Sequence, residues 1–389
     1  MINEARTRKS ICYVGFYSDE AVSYEKRYSA PSAVNKMNYI ASSLIRVGHN
    51  VRILSPSWSK TKKFAYYSGR TTSSKDGIRV KYPSTFSSPG RVLEFFSRYY
   101  SLLWLFIMLI FNAHKETHVV LYHSTFLYFP ILCAKKICRF TLILEVEEIY
   151  HLFTKSIKER EDRMLSMADG YLFANKGIKK YLTKEKDKKK PFIVVNGEYN
   201  IKKETKIKSK DDQFIKVVFA GNIEHVRRGA FNAVSCAKYL SDKYRVYIIG
   251  FGAERDISVL NKKIKQVNDL LGYKKCEYFG VKHGAEYDQF LFDCDIAINP
   301  QELNKRYMQF AFPSKILSYL NHNLRTVTTQ LETISDSEFS DLVIMVPNPS
   351  PQKFAEAIMK VNLLEPFDPV SRINKADLTF LDNLKLLVV

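Results

Sequence analysis

The sequence predicts an α/β protein of two domains, each built on a parallel sheet. Short apolar runs alternate with segments of helical period along the whole chain, the pattern left by strand, helix, strand crossovers. One polar, charged stretch without apolar period, Asn200 to Gln213, interrupts that alternation near the middle and reads as a linker. A length of 389 residues exceeds one ordinary core and suits two.

The first crossover is SICYVGFY (Ser10–Tyr17), the helix in SAVNKMNYIASSLIRVG and the strand NVRILSPS. Pro31 lies at the helix start, where a missing N–H is tolerated, and Gly48 lies where a C-terminal cap belongs. Strands are expected next at HVVLYHS (His118–Ser124), FTLILEVEE (Phe140–Glu148), GYLFAN (Gly170–Asn175) and FIVVNGEY (Phe192–Tyr199). Beyond the linker they are expected at IKVVFAGN (Ile215–Asn222), YRVYIIGFG (Tyr244–Gly252), CEYFG (Cys276–Gly280), DIAINP (Asp295–Pro300) and RTVTT (Arg325–Thr329). The expected boundaries are 1–200 for the first domain, 201–213 for the linker, 214–365 for the second domain and 366–389 for a segment returning to the first. Open parallel sheets take ligands beyond the carboxyl ends of their strands, so an active cleft is expected between the domains.

Composition narrows the class. The chain is 46% hydrophobic and 26% charged, which is that of a globular protein. Of its net charge of +20, most lies in residues 1–200, with 33 lysines and arginines against 17 acids, while residues 201–389 carry 27 against 23. A basic first half suits a polyanion, either nucleic acid or an acidic membrane surface. No recognisable nucleic-acid-binding motif is present, and the basic runs at 184–190 and 202–210 have no interleaved aromatics, so no nucleic-acid partner is expected. The six cysteines form no CxxC pair and lie near no histidine ligands, which predicts neither zinc site nor disulfide framework and fits a reducing cytosol. The N-terminus lacks an apolar h-region, which argues against secretion.

The apolar run Leu102–Phe111 has ten residues, against roughly 20 for a spanning helix. Being apolar on every side, it predicts a helix buried between layers. With Arg98, Tyr99, Tyr100 and Trp104 at its rim, shallow insertion at an anionic leaflet is the alternative. KEKDKKK (Lys184–Lys190) reads as a solvated loop that would add membrane charge.

Several residues carry candidate chemistry. Arg227 and Arg228 follow the strand VVFAGN and precede a helix, where guanidinium groups clamp diphosphates; a solvated basic loop is the alternative. In FAFPSKILSYLNHN, Pro313 suits a first helical turn, leaving the Ser314 and Lys315 amides at the helix start beside the lysine charge, which favours phosphate; an ordinary helix start is the alternative. Alternation puts Glu145 and Glu147 on one face of a buried strand, and such acids at a strand's carboxyl end suit hydroxyl recognition or proton transfer. Glu147 and Glu148 are the candidates there, with pairing to lysines as the alternative. His123 has the same address on a neighbouring strand, with a buried structural histidine as the alternative. Asp293-Cys294-Asp295 imitates a metal motif but opens its strand at the amino end, so no metal or other cofactor is expected.

The order of these pieces resembles glycosyltransferase family 4 across most of the chain. FAGNIEHVRRG is similar to the family's strand and glycine loop, YIIGFGAE to its glycine-bearing strand, FGVKHGAEYDQFLFDCDIAINP to the segment before its donor loop, and FPSKILSYLNHNLRTVTT to the FPSK helix of its bacterial polysaccharide members. In the first half, SAPSAVNKMNYIASSLIRVGHNVRILSPS, ILEVEEIY and VVNGEY resemble the acceptor-side helix, the strand at the cleft and the turn before the linker. The resemblance implies the GT-B fold, two Rossmann-like domains with parallel sheets facing across a cleft. It further implies a metal-independent, usually retaining transfer from a nucleotide-sugar. Gly221, Arg227, Arg228, Pro313, Ser314 and Lys315 would then hold the donor diphosphate and stabilise the leaving charge. Gly250, Gly252 and Ser318 would lie toward the nucleotide and ribose, and Asn35 and Lys36 on the acceptor side. The family commonly carries two glutamates eight positions apart around the FPSK helix, and here those positions hold Phe310 and Ser318. Glu302 lies eight residues earlier still and is the remaining carboxylate for the donor sugar, with a surface-loop acid as the alternative.

The expectation is therefore an enzyme moving a sugar from a UDP- or GDP-sugar to a lipid-linked saccharide in bacterial surface polysaccharide assembly. It would be cytoplasmic and peripheral to the inner face of the cell membrane. The alternative is a non-catalytic accessory subunit that binds a sugar-nucleotide or glycan.

Overall fold

The computed structural model describes residues 9–61, 63–74, 77–87, 90–152, 154–182, 189–201, 213–303, 310–347 and 349–388. Residues 202–212 of the expected linker and 184–188 of the lysine run lie outside them. The chain divides into two compact units, Met1–Glu198 with Leu378–Val389, and Tyr199–Asp377.

The first unit contains, in chain order, β1 (Ser10–Val14), α1 (Pro31–Arg46), β2 (Asn50–Leu54), β3 (Ala65–Tyr67), β4 (Arg70–Ser73), β5 (Arg79–Tyr82), β6 (Thr85–Ser87) and α2 (Arg91–Asn112). There follow β7 (His118–Tyr122), α3 (Tyr128–Cys138), β8 (Thr141–Val146), α4 (Lys158–Met167), β9 (Gly170–Phe173), α5 (Lys176–Leu182) and β10 (Phe192–Val194). The sheet order is β10-β9-β8-β7-β1-β2-β5-β4, parallel except for β4, which runs antiparallel to β5. β3 and β6 form a separate antiparallel ribbon. Pro31 occupies the first turn of α1, and Gly48, at φ +100°, closes its end. Strands β3 to β6 are absent from the sequence expectations. β3 and β4 are half-exposed, β6 buries only Thr85 and Ser87, and all three are polar or aromatic, so no continuous apolar run announces them.

The second unit contains β11 (Ile215–Ala220), α6 (Gly229–Cys236), β12 (Tyr244–Ile249), α7 (Glu254–Leu271), β13 (Cys276–Tyr278), α8 (Gly284–Phe292), β14 (Ile296–Asn299), α9 (Lys315–Asn321), β15 (Arg325–Thr329), α10 (Glu332–Ser335), β16 (Val343–Val346) and α11 (Pro351–Met359). All six strands are parallel, in the order β13-β12-β11-β14-β15-β16. Alternation along β11 serves two cores. Val217 and Phe219 pack with Val246 and Ile248 on one face, while Val218 and Ala220 pack with Ile249 and Tyr319 on the other. α12 (Pro369–Leu387) starts in this unit, and from Leu378 onward its residues belong to the first, where Phe380 stacks on Tyr39 with ring centres 5.4 Å apart.

Helix α2 departs from expectation. The run Leu102–Phe111 is part of a 22-residue helix, long and apolar enough by length and composition to span a membrane, yet only 22% of its most apolar window is buried. It is not a core helix. The stripe that packs inward is Ser97, Ser101, Leu105 and Leu109, spaced by four, and the larger side chains face outward. The apolar character that suggested burial lies on the wrong side for it.

Candidate functional site

In the second unit the strand order reverses between β11 and β14, and parallel sheets open a ligand position at such a switch. Gly221 follows β11 there with φ +151°, a conformation that a side chain disfavours. Lys315, the first residue of α9, lays its ammonium over this loop. Nζ stands 4.3 Å from the Phe219 ring centre, and a β-carbon on Gly221 would come within 2.7 Å of it. Among the described residues no hydrogen bond or ion pair reaches the ammonium. Its pKa is lowered to about 8, chiefly by burial and next by Arg227, with Glu224 opposing both. Among the described residues this cation has no directly paired counter-charge, Glu224 acting on it only from a distance.

Arg227 and Arg228 approach the same loop from the turn before α6. Arg228 adopts a left-handed backbone, φ +52°, and its Nε lies 3.6 Å from Glu302 Oε1. Arg227 Nε lies 3.7 Å from Glu224 Oε1, and its carbonyl accepts from the Glu302 N–H at 2.8 Å. The Asn232 amide donates to the Pro300 carbonyl at 3.0 Å and to Glu302 at 3.4 Å. Glu302 thereby meets Arg228 through its side chain and Arg227 through its backbone, while Arg227 pairs with Glu224; both arginines are half exposed and both ion pairs are long.

The helix start differs from expectation in one respect. Pro313 is not in the first turn: α9 begins at Lys315, and the buried Pro313 instead offers its carbonyl to the Ile316 N–H at 2.9 Å. The Ser314 carbonyl accepts from the Leu317 and Ser318 N–H groups, so among the described residues the Ser314 and Lys315 amides are the donors left at the start. Ser318, one turn on, shares a hydrogen bond of 3.1 Å with the Tyr287 hydroxyl. Gly250 and Gly252 lie behind the loop. A β-carbon on Gly250 would meet the Gly221 carbonyl oxygen at 1.8 Å, and one on Gly252 would meet that of Ile223 at 2.4 Å, so both allow close backbone approach. Asp295 accepts from the Lys216 N–H at 2.8 Å, tying the amino end of its strand.

The first unit holds a second group at the carboxyl ends of β1, β7 and β8. Glu147, just past β8, pairs with Lys36 on α1 at 2.6 Å, and Lys36 also donates to the Val195 carbonyl at 2.9 Å. Lys36 is buried, whereas Asn35 beside it is exposed. Glu145 is fully buried and accepts a short hydrogen bond from the Tyr13 hydroxyl. Burial holds its carboxyl well above the usual carboxylate range, and Glu147 raises it further. Burial also raises the Tyr13 and Tyr122 hydroxyls, which face the same acids. Glu148 is on the surface. His123 is fully buried and neutral, its pKa pushed down to about 4 by burial, with Glu161 Oε1 3.7 Å from Nε2 and Tyr150 edge-on at 5.0 Å. Glu161 in turn accepts from the Tyr150 and His151 N–H groups at 2.8 and 3.0 Å. Sequence reasoning missed Tyr13, Tyr287, Asn232 and Glu161. Alternation along SICYV, which puts a tyrosine inside a buried strand, is the one signal that points to Tyr13.

No family model matches the sequence, and no curated protein matches it. Solved structures do. A sucrose-phosphate synthase from Thermosynechococcus elongatus is similar with a TM-score of 0.68 and 12% identity, over 98% of this chain and 96% of that one. An α,α-trehalose-phosphate synthase (UDP-forming) from Burkholderia vietnamiensis gives 0.65 and 9% over the same shares. A glycosyltransferase from Rickettsia africae gives 0.60 and 13%, over 98% and 96%. At such identities the likeness establishes the fold, which is GT-B.

Proposed function

We propose that the chain, having the GT-B fold, transfers a sugar from a UDP- or GDP-sugar to a lipid-linked saccharide, with retention, in bacterial surface polysaccharide assembly. The observation that carries this reading is the Lys315 ammonium, uncommitted among the described residues and held over Gly221 at the strand-order switch. A diphosphate supplies the missing counter-charge, with the amides of Ser314 and Lys315 and the guanidinium groups of Arg227 and Arg228 as further donors. As the sugar leaves, negative charge grows on the diphosphate, and fixed cations stabilise that charge more than the ground state. The reading gives a metal ion no part.

Glu302 takes the donor sugar's hydroxyls in this scheme, and Glu147 with Lys36 takes the acceptor's. His123 is buried and neutral, and its place in the scheme is to support the loop after β7.

A second reading is favoured by one feature. Ser318 meets Tyr287 where a ribose-binding carboxylate is common in family 4, which suits an accessory subunit that binds a nucleotide-sugar without turnover.

The thermal midpoint of the purified protein with UDP, GDP, CDP- and ADP-linked ligands tests both. A nucleotide at 100 times its dissociation constant adds about 2.7 kcal/mol. The expected result is a rise with UDP or GDP, unchanged by EDTA and lost in Lys315→Ala. No rise with any nucleotide sinks the proposal, and a rise without release of nucleotide in the presence of lipid-linked acceptor selects the accessory reading.

A further inference from the structure

We propose that the outer face of α2 lies flat in an anionic lipid surface. This deepens the proposed reaction, on whose lipid-linked acceptor it rests for its purpose though not for its geometry. Along α2, Phe95, Tyr99, Leu103, Ile107 and Phe111 recur every four residues and are 39–79% exposed, while the inward stripe begins with two serines. A soluble helix puts its large apolar side chains inward; this one reverses the order. The ribbon beside it repeats the pattern. Ser97 bonds to Thr85 and to the Phe86 N–H, and the rings of Phe64, Tyr66 and Phe86 are exposed.

The charges match an acidic leaflet. Glu94 is the one acid in α2, and the first 200 residues carry 33 basic against 17 acidic side chains. Arg98 stands over Trp58 and Phe126, at 5.1 and 4.9 Å, and its buried Nε has no hydrogen-bond partner among the described residues. Lys63, exposed, leads into the ribbon next to Phe64. Phosphate headgroups would pair with an exposed cation such as Lys63, and Tyr99 and Tyr100 have the amphipathic rings that favour the interface.

The helix lies on the surface and does not cross it, because it is fastened near both ends. Near its start Ser97 is bonded to β6, and at its end the Asn112 side chain accepts from Arg52 on β2 at 2.7 Å. The apolar face, not the helix as a whole, enters lipid.

Sedimentation of the full chain with vesicles tests this, using equal parts phosphatidylglycerol and phosphatidylcholine against phosphatidylcholine alone. The expected result is binding to the anionic vesicles that weakens with salt, and a blue shift in the emission of Trp104, the chain's second tryptophan being buried. Leu103→Glu with Ile107→Glu should reduce the partition by about tenfold or more. Both side chains are exposed, so the variant's thermal midpoint should equal the parent's. Binding unaffected by the two glutamates, or absent in the parent, overturns the proposal. So does a concentration-dependent dimer that the variant abolishes, since the occupant is then a second copy. The variant should keep any nucleotide-induced rise in midpoint, which separates failure of this surface from failure of the donor site.

Discussion

The Lys315 ammonium packs directly on Gly221, whose missing β-carbon leaves the space that Nζ fills; a methyl group there would stand 2.7 Å from the nitrogen. The glycine and the lysine thus act as one device. The crowded atom is the tip of a flexible side chain, so Gly221→Ala should displace the cation, at a backbone cost of about 1–3 kcal/mol for an alanine at φ +151°. We expect it to abolish the nucleotide-induced rise in midpoint as fully as Lys315→Ala does, and the double variant to be no worse than either. Additive losses in titration calorimetry would mean that the two act separately.

Lys315 also links binding to protons. Its pKa of about 8 lies below the ordinary lysine value of 10.5, so between those values the unfolded chain holds more protons and this group makes the free protein more stable as pH rises. A bound diphosphate favours the charged form and reverses the shift. Binding at pH 8.5 should therefore take up a proton, and affinity should fall as pH climbs above 8, not 10.5. Binding heats measured at pH 8.5 in buffers of different ionisation enthalpy report the uptake; heats that do not depend on the buffer contradict it.

Glu145 gives the opposite slope. A carboxyl raised by burial to about 8 keeps its proton in the folded state, so the stability tied to it is fully present below the ordinary carboxylate pKa and is lost as pH rises from there through about 8. Glu145→Gln should flatten the urea-unfolding midpoint against pH across that range. Tyr13→Phe, which leaves the carboxyl without its donor, should destabilise by about 1–3 kcal/mol. An unchanged pH profile in Glu145→Gln would show that the carboxyl is ionised in the folded protein.

The parallel strands were legible because burial on both faces makes them near-continuous apolar runs, as in VVFA and TLILEV. β16, the run VIMV before a proline, has the same signal, though it is not among the expected strands. The ribbon of β3 and β6 has none, since its rings point outward. For α2 the hydrophobic total misled, and the informative feature was the pair Ser97 and Ser101 one turn apart, marking the face that packs closely. The Lys315 helix start was visible as a motif, but that its ammonium has no hydrogen-bonded or ion-paired partner among the described residues was not. Glu145 was visible as an anomaly; its partner Tyr13 lies 132 residues away in sequence, a distance that only the fold spans.

The first unit is assembled from two separate lengths of chain, with Phe380 and Leu384 from α12 and Val388 just beyond it buried in it. During synthesis it must wait. Residues 199–377 form an uninterrupted piece that can close as soon as it has emerged, whereas the earlier-made unit lacks part of its interior until the later residues leave the ribosome. The usual order, in which the leading domain finishes first, is inverted here. Its apolar surfaces stay open for the time taken to make the other unit, so cellular yield should depend on the residues from Leu378 onward out of proportion to their number.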